Sequence, residues 1–351
     1  MFILVTGASG FLGSHVVKQL LEAGHKVRGT ARASKAEHVR SAYKAYGDRF
    51  EVTVVEDFSN SDLSDAFKGV DALAHVASPL SQMFELSAEE VLKGAIDGTI
   101  RVLDSASKAG VKKIVVTSST STLSHPNDVW ISRFYGDQDW NPLTYEDATK
   151  PGANPMHVYA VSKKVAEEAV RKFAKEHPDV DIATVHPALI IGPTGPSQVL
   201  PTGQAADGSN TAIYMLLQGS RQPLPEPKSL MFPPVFINVE DTARAHVLLL
   251  TGTSSTPSLP AGQVKRVVLY DGLMKWHEAV RYLEETRPAI RERLFVVPEG
   301  YEGDEGCARS DGTSSERWVG MKKEDYKGWK ETLDATVDCI LKRESELGGE
   351  K

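Results

Sequence analysis

The chain has 351 residues with a formal net charge of −7, and 41% of its residues are hydrophobic against 25% charged. That is an ordinary globular balance, and its acidic surplus excludes a protein built to coat a nucleic-acid backbone, which needs a basic face. Its two cysteines, Cys307 and Cys339, form no CxxC pair and are too few for a disulfide framework, which suits a reducing compartment.

Residues 2–5 are apolar, but the run is too short for the core of a signal peptide and no basic residues precede it. No later run approaches membrane-spanning length, so a soluble cytoplasmic protein without membrane partners is expected. The length suggests more than one core. In the first half, short apolar runs alternate with helical stretches: run 3–6, helix 13–22, run 26–31, helix 35–46, run 52–56, helix 63–67, run 72–76, helix 88–109 and run 114–117. A helix near 160–177 and a run at 182–186 continue the series. This alternation predicts an α/β fold: a Rossmann-type doubly wound parallel sheet covered on both faces, with right-handed crossovers. After Gly192 the character changes. Residues 193–234 are rich in Gly, Pro, Ser and Asn with a helical piece near 212–218, and residues 236–250 look regular again. Residues 264–351 mix a strand-like run with helices at 275–285 and 326–342, and Asp241 is expected to cap a helix starting near Thr242. The expectation is a nucleotide-binding domain over 1–192, to which 236–250 returns, and a smaller C-terminal α/β substrate lobe over 193–351.

Thr6-Gly7-Ala8-Ser9-Gly10-Phe11-Leu12-Gly13 joins the first run to the first helix. In such a loop Gly7 permits the tight turn, Gly10 lets the backbone approach a pyrophosphate, and Gly13 lets helix and strand pack closely. Ser9, Gly10, Phe11 and Leu12 then lie at a helix N-terminus, where free N–H groups and the dipole favour phosphate. A glycine-rich turn without a ligand is the plainer alternative, and the strand–turn–helix setting favours a dinucleotide over it. The second run ends Gly29-Thr30-Ala31-Arg32, with no carboxylate for a ribose 2′-hydroxyl and a guanidinium whose fork matches a 2′-phosphate. Arg32, aided by Lys35, therefore points to NADPH/NADP+ over NADH. Asp57, followed by Phe58, comes after the third run and either faces the adenine or makes a turn.

Tyr159-Ala160-Val161-Ser162-Lys163 puts a phenol and an ammonium on one helix face. An isolated phenol titrates near pH ~10, too high for neutral proton traffic, and a nearby ammonium is expected to lower that value. The tyrosine can then protonate the alkoxide formed when hydride reaches a carbonyl carbon, while Lys163 also holds the nicotinamide ribose. Tyr326 and Lys330 share the spacing, so spacing alone decides nothing; lying far from the glycine loop, they are expected to be a solvated helix pair. The fifth run leads into Thr117-Ser118-Ser119-Thr120-Ser121, at the carboxyl edge where ligands bind in open α/β sheets. A hydroxyl there polarises a substrate carbonyl. On chemistry alone Ser118, Ser119, Thr120 and Ser121 all qualify.

These motifs, with His75-Val76-Ala77-Ser78-Pro79, Asp137-Gln138-Asp139-Trp140-Asn141, His186-Pro187-Ala188-Leu189-Ile190-Ile191-Gly192-Pro193 and Phe236-Ile237-Asn238-Val239-Glu240-Asp241, resemble the extended short-chain dehydrogenases/reductases over nearly the whole chain. Within that group the chain is most similar to fungal NADPH-dependent aldehyde and ketone reductases of the methylglyoxal type, and to plant dihydroflavonol and cinnamoyl-CoA reductases. The resemblance implies that Ser119 is the catalytic serine beside Tyr159 and Lys163. It also implies that Thr117, Val76, Ala77, Ser78, Pro187, Leu189 and Ile190 flank the cofactor. It is weakest at 129–135 and 193–229, which shape the substrate pocket in the family.

Leu80, Leu123, Phe134, Met156 and Tyr214, together with Ser119, are expected to line a pocket for a hydrophobic or aromatic carbonyl compound. The ten histidines show neither HxH nor HExxH spacing, which predicts no metal site. Ser119 and His186 lack the GxSxG elbow of a hydrolase. The expected function is an NADPH-dependent reductase of a small-molecule ketone or aldehyde, acting as a monomer or homodimer. One alternative is a nucleotide-sugar epimerase or dehydratase, which returns its cofactor unchanged. Another is a non-catalytic NADP(H) sensor, which has no need of Ser119, Tyr159 and Lys163.

Overall fold

The computed structural model describes residues 1–78, 86–230, 232–252, 259–301 and 306–349. Its centre is a seven-stranded, all-parallel sheet of β1 (Phe2–Thr6), β2 (Lys26–Ala31), β3 (Phe50–Val54), β4 (Ala72–His75), β5 (Lys113–Thr117), β6 (Asp181–Pro187) and β7 (Val264–Leu269), in the order β3-β2-β1-β4-β5-β6-β7. The order reverses between β1 and β4, so the carboxyl ends of those strands open a crevice, the usual ligand position in such sheets. The principal covering helices are α1 (Phe11–Glu22), α2 (Ala33–Ala42), α3 (Ala88–Lys108), α4 (Pro155–Glu176) and α5 (Val239–Thr251). Ile3 and Val5 of β1 join one apolar core with side chains of α1, α2 and α5, whereas Leu4 joins another with α3 and α4. Both faces are dry, which is why the strands read as continuous apolar runs. Each such aliphatic side chain contributes about 1.5–3 kcal/mol by its burial.

Helix starts are set by local side chains. Ser87 and Glu90 form a reciprocal capping box at the head of α3. Asn154 accepts the Met156 N–H at 2.8 Å and Pro155 occupies the first position of α4, which fixes where Tyr159 falls on that helix. The cap of α5 is Asn238, which accepts the Glu240 N–H at 2.7 Å. The expected cap, Asp241, instead accepts the Lys327 N–H at 2.7 Å and pairs with Arg244 at 3.0 Å.

A third core, with Ile191, Ile213, Phe236, Trp276 and Leu333, belongs to a lobe of helices Thr211–Leu216, Trp276–Thr286 and Trp329–Gly349 against a three-stranded sheet of Leu189–Ile191, Val235–Asn238 and Gly272–Leu273. The lobe is not one continuous stretch. The strand Leu189–Ile191 already lies in the lobe sheet, while β7 pairs with β6 in the central one. Nothing local to Val264–Leu269 states which sheet it joins. The last helix starts at Trp329, so Tyr326 and Lys330 are not a solvated helix pair. Tyr326 packs on the core shared with α1, and Lys330 sits over the rings of Tyr282 and Trp329 at 5.2 and 5.5 Å.

Candidate active site

The glycine loop occupies the crevice between β1 and β4. Gly7 has a φ of +73°, and a Cβ there would approach Ala77 at 3.1 Å. A Cβ on Gly13 would stand 2.1 Å from the Gly7 carbonyl oxygen, so this glycine lets α1 start directly beneath the loop. At the head of α1, Gly10 provides no side-chain cap and the first turn carries no acid, which leaves N–H groups and the positive dipole end for an anion. Ser9 and Phe11 are half-buried, Gly10 is exposed, and the Leu12 side chain lies in the core. Thr6 Oγ1 accepts the N–H groups of Val76 and Ala77, each at 3.0 Å, tying the segment after β4 to the loop. Its proton then goes to His75 Nδ1 at 2.9 Å, so His75 carries its own proton on Nε2. Burial, and then the Lys163 charge, hold His75 neutral with a pKa of about 4.

Arg32 heads α2 with its side chain exposed, Lys35 is half-buried one turn on, and neither has an ion-pair partner among the described residues. Glu56, unremarked in the sequence, accepts the Ala33 N–H at 2.8 Å and so caps α2, which Arg32 has no acceptor to do. Asp57 accepts the Ser59 N–H at 2.8 Å and also the Asn60 amide, which closes a turn after β3. Phe58 packs edge-on against His75, with centroids 5.9 Å apart. Ser78 is exposed, Pro187 is buried at the end of β6, and Leu189 and Ile190 are half-buried just beyond it.

Tyr159 and Lys163 lie one turn apart on α4, facing the turn after β5. The Ser119 hydroxyl accepts the Ser121 N–H at 3.2 Å, which leaves its own proton to be donated. Burial pushes the Tyr159 phenol above its ordinary value, and the hydroxyls of Ser119 and Ser121 pull it part of the way back. The lowering expected from Lys163 is absent from these effects. Lys163 Nζ donates instead to Ser78 Oγ at 3.0 Å, and burial drops it to about 8. The neighbouring hydroxyls point elsewhere: Thr117 donates to His246 Nε2 at 2.8 Å, and Ser118 donates to Glu167 at 3.3 Å.

Glu167, a further turn along α4, is buried. Arg266 of β7 donates Nε to Glu167 at 2.6 Å and donates to the carbonyls of Asp137 and Asp139 at 2.7 and 2.8 Å, with its guanidinium over the Trp140 ring at 4.2 Å. His186 Nδ1 stands 3.2 Å from the Ser119 carbonyl. A carbonyl only accepts, so Nδ1 carries the proton, and burial keeps the ring neutral with a pKa of about 4 despite Glu167 at 3.7 Å. His186 therefore braces the Ser119 backbone and is no hydrolase base. The sequence signals for this network were Glu167 continuing the four-residue spacing of Tyr159 and Lys163, and an arginine inside an apolar strand. Glu167→Ala strands a buried guanidinium, and a loss of about 3–5 kcal/mol is expected. Thermal melting checks it: the Glu167→Leu/Arg266→Met double variant should melt well above Glu167→Ala, and a single variant melting with the parent would deny the pair any weight.

Residues 3–258 match the model of the NAD-dependent epimerase/dehydratase family. The chain belongs to this family. It is 34% identical over 297 residues to aldehyde reductase 2 of Sporidiobolus salmonicolor, covering 82% of this chain and 81% of that one. Its structure matches yeast methylglyoxal/isovaleraldehyde reductase Gre2 complexed with NADPH at a TM-score of 0.81 and 26% identity, covering 98% of this chain and 99% of that one. The UDP-glucose-4-epimerase of Stenotrophomonas maltophila matches at a TM-score of 0.67 and 21% identity, over 99% of both chains, and shares the fold alone.

In this family member the expected pocket residues are scattered. Met156 is exposed in the first turn of α4. Leu123 is buried in a small core with Tyr135, Val268 and Ala308, and Tyr214 packs on the lobe core. Phe134 is 66% exposed and lines a cleft of about 350 Å³ with Tyr270, Arg309 and Lys323, a cleft that Ser119, Tyr159 and Lys163 do not line. Leu80 lies outside the described residues. A connection not legible in the sequence is the strap 193–199 across the glycine loop: Ser197 donates to the Ala8 carbonyl at 2.6 Å, and Val199 N–H donates to the Ser9 carbonyl at 3.1 Å. Gly195 lies in this strap where a Cβ would fall 2.3 Å from Ser14 Oγ. Among the described residues no cluster of His, Cys, Asp or Glu could hold a metal ion, and no helix is long and apolar enough to cross a membrane.

Proposed function

We propose that this family member is an NADPH-dependent reductase acting on the carbonyl of a hydrophobic or aromatic ketone or aldehyde, as a cytoplasmic monomer or homodimer. The observation that carries this reading is the meeting of the Ser119 and Tyr159 hydroxyls at the carboxyl edge of the sheet, beside a loop whose helix head is uncapped. The reductases among its relatives, and Gre2 with its NADPH, support it.

The residues fit the cofactor. The N–H groups of Ser9, Phe11 and Leu12 would hold the pyrophosphate, those of Gly7, Ala8 and Gly10 being donated to Thr30 and Gly7 within the loop, and the unpaired Arg32 and Lys35 would hold the 2′-phosphate. Asp57 and Phe58 would border the adenine. Val76 to Ser78, Thr117 and Pro187 to Ile190 would flank the nicotinamide half, with Lys163 on its ribose. The chemistry supplied by bound NADPH is a hydride at the carbonyl carbon. Ser119 donates a hydrogen bond to the carbonyl oxygen and stabilises the negative charge that grows there. Tyr159 passes its hydroxyl proton to that oxygen, and the product O–H bond forms. A phenol held above its ordinary value by burial stays protonated at neutral pH, the state a proton donor needs in this direction.

Purified protein given NADPH and a panel of aryl ketones, diketones and aldehydes should lose absorbance at the reduced-nicotinamide band. A flat trace across the panel, with stoichiometric cofactor copurifying unchanged, would overturn this reading in favour of epimerase chemistry.

A further inference from the structure

Two serine hydroxyls of the turn after β5, Ser119 and Ser121, act on the Tyr159 phenol, and the reading above uses one. The backbone of the other, Ser121, is tied on both sides. Its N–H donates to Ser119 Oγ at 3.2 Å, and its carbonyl accepts the Asn141 side-chain amide at 2.9 Å. The next carbonyl, of Thr122, accepts the Asn141 N–H at 2.8 Å, and the Ser119 carbonyl is braced by Thr122 and His186. Alanine at 121 would keep every one of these bonds. Ser121 Oγ is nonetheless buried, and among the described residues it meets no partner at full hydrogen-bond geometry. A buried hydroxyl left so is costly, and it calls for an explanation outside the turn. The group on which this hydroxyl already acts is the Tyr159 phenol.

We infer that Ser121 is a second catalytic hydroxyl, donating a hydrogen bond to the Tyr159 oxygen as that oxygen gives up its proton. This rests on the reductase reading. In the protonation step the Tyr159 O–H bond breaks, an O–H bond forms on the substrate oxygen, and the negative charge moves to the phenolate. The Ser119 proton is directed at the substrate oxygen in that step, so it cannot also serve the phenolate. Ser121 keeps its own proton and supplies the missing donor. A hydroxyl bonded to an oxyanion is roughly twice as strong as one bonded to a neutral oxygen, so the contact tightens when the charge appears.

The variant that tests this is Ser121→Ala, which removes the hydroxyl and leaves the turn. The reduction rate kcat is expected to fall about 3- to 10-fold, with NADPH affinity within about twofold of the parent. Reduction needs protonated Tyr159, so the rate falls as pH rises through the tyrosine pKa. Losing a donor to the phenolate raises that pKa, so the alkaline limb should move up by about half a unit to one unit. The same shift should appear without substrate in the NMR titration of isotope-labelled tyrosine ring carbons, with the Tyr159 signal assigned by its loss in Tyr159→Phe. Ser121→Thr, which keeps a hydroxyl, should restore both. If the Ser121→Ala limb and Tyr159 titration superimpose on the parent's, the inference is overturned, even if the variant melts lower. If the Tyr159 titration shifts while the parent reduces no carbonyl in the panel, the reductase reading fails and the Ser121 contact stands.

Discussion

Tyr159→Phe is expected to lower kcat/KM for carbonyl reduction about a thousandfold, with NADPH affinity changed by less than about twofold, because a positioned proton donor supplies roughly 10²–10⁴ in rate. A thousandfold corresponds to about 4 kcal/mol of transition-state stabilisation. The effect should fall on kcat. The phenylalanine ring keeps the packing of the half-buried tyrosine, and the lost hydroxyl matters only once negative charge reaches the substrate oxygen. Ser119 survives in the variant and still polarises the carbonyl, so residual turnover is expected. Steady-state kinetics paired with a cofactor titration decides the matter. A variant keeping more than about a tenth of parental turnover would remove Tyr159 as the donor, against the scale just given.

Arg32→Gln is expected to weaken NADPH binding about 10- to 100-fold while leaving NADH binding nearly unchanged, since a hydrogen bond to a charged group is worth about 1.5–3 kcal/mol. Arg32 is exposed at the head of α2, so solvent and salt screen it and the lower part of that range is favoured. The half-buried Lys35 remains nearby and keeps some preference for the phosphate. Fluorescence titration with both cofactors, at low and raised salt, separates the outcomes. Equal losses for NADH and NADPH would mean that the substitution damaged the loop. A parent that binds both cofactors alike would dismiss Arg32 as the phosphate reader.

What was legible in the sequence was local. Gly7 to Gly13 make a loop because a turn with positive φ and a helix start under it leave no room for a Cβ, and that demand is met within a few residues. Tyr159 and Lys163 share a face because any helix sets residues four apart together. Less local features misled. The decoy at Tyr326 looked like a helix pair, yet Tyr326 precedes the helix and enters a core. Asp241 looked like a cap, but Asn238 stands at the true start. Spacing predicts a lowering of Tyr159 by Lys163, whereas Lys163 reaches across the crevice to Ser78 and burial raises the phenol.

The sequence by itself therefore determined the strand–helix alternation, the glycine loop and the placing of Tyr159 and Lys163 on one helix face, because turn sterics and helix periodicity act within a few residues. The tertiary structure alone decided which hydroxyls of the β5 turn act on Tyr159, those of Ser119 and Ser121, and which point elsewhere. It also decided how Arg266 reaches Glu167, and where the strap 193–199 lies on the loop. In the central sheet Val116 stands beside Thr184 and Thr184 beside Arg266. A slip of one residue in that register would turn every one of these side chains to the opposite face. Register between strands far apart in sequence is set by the packing of the whole core, and no short window of the chain contains it.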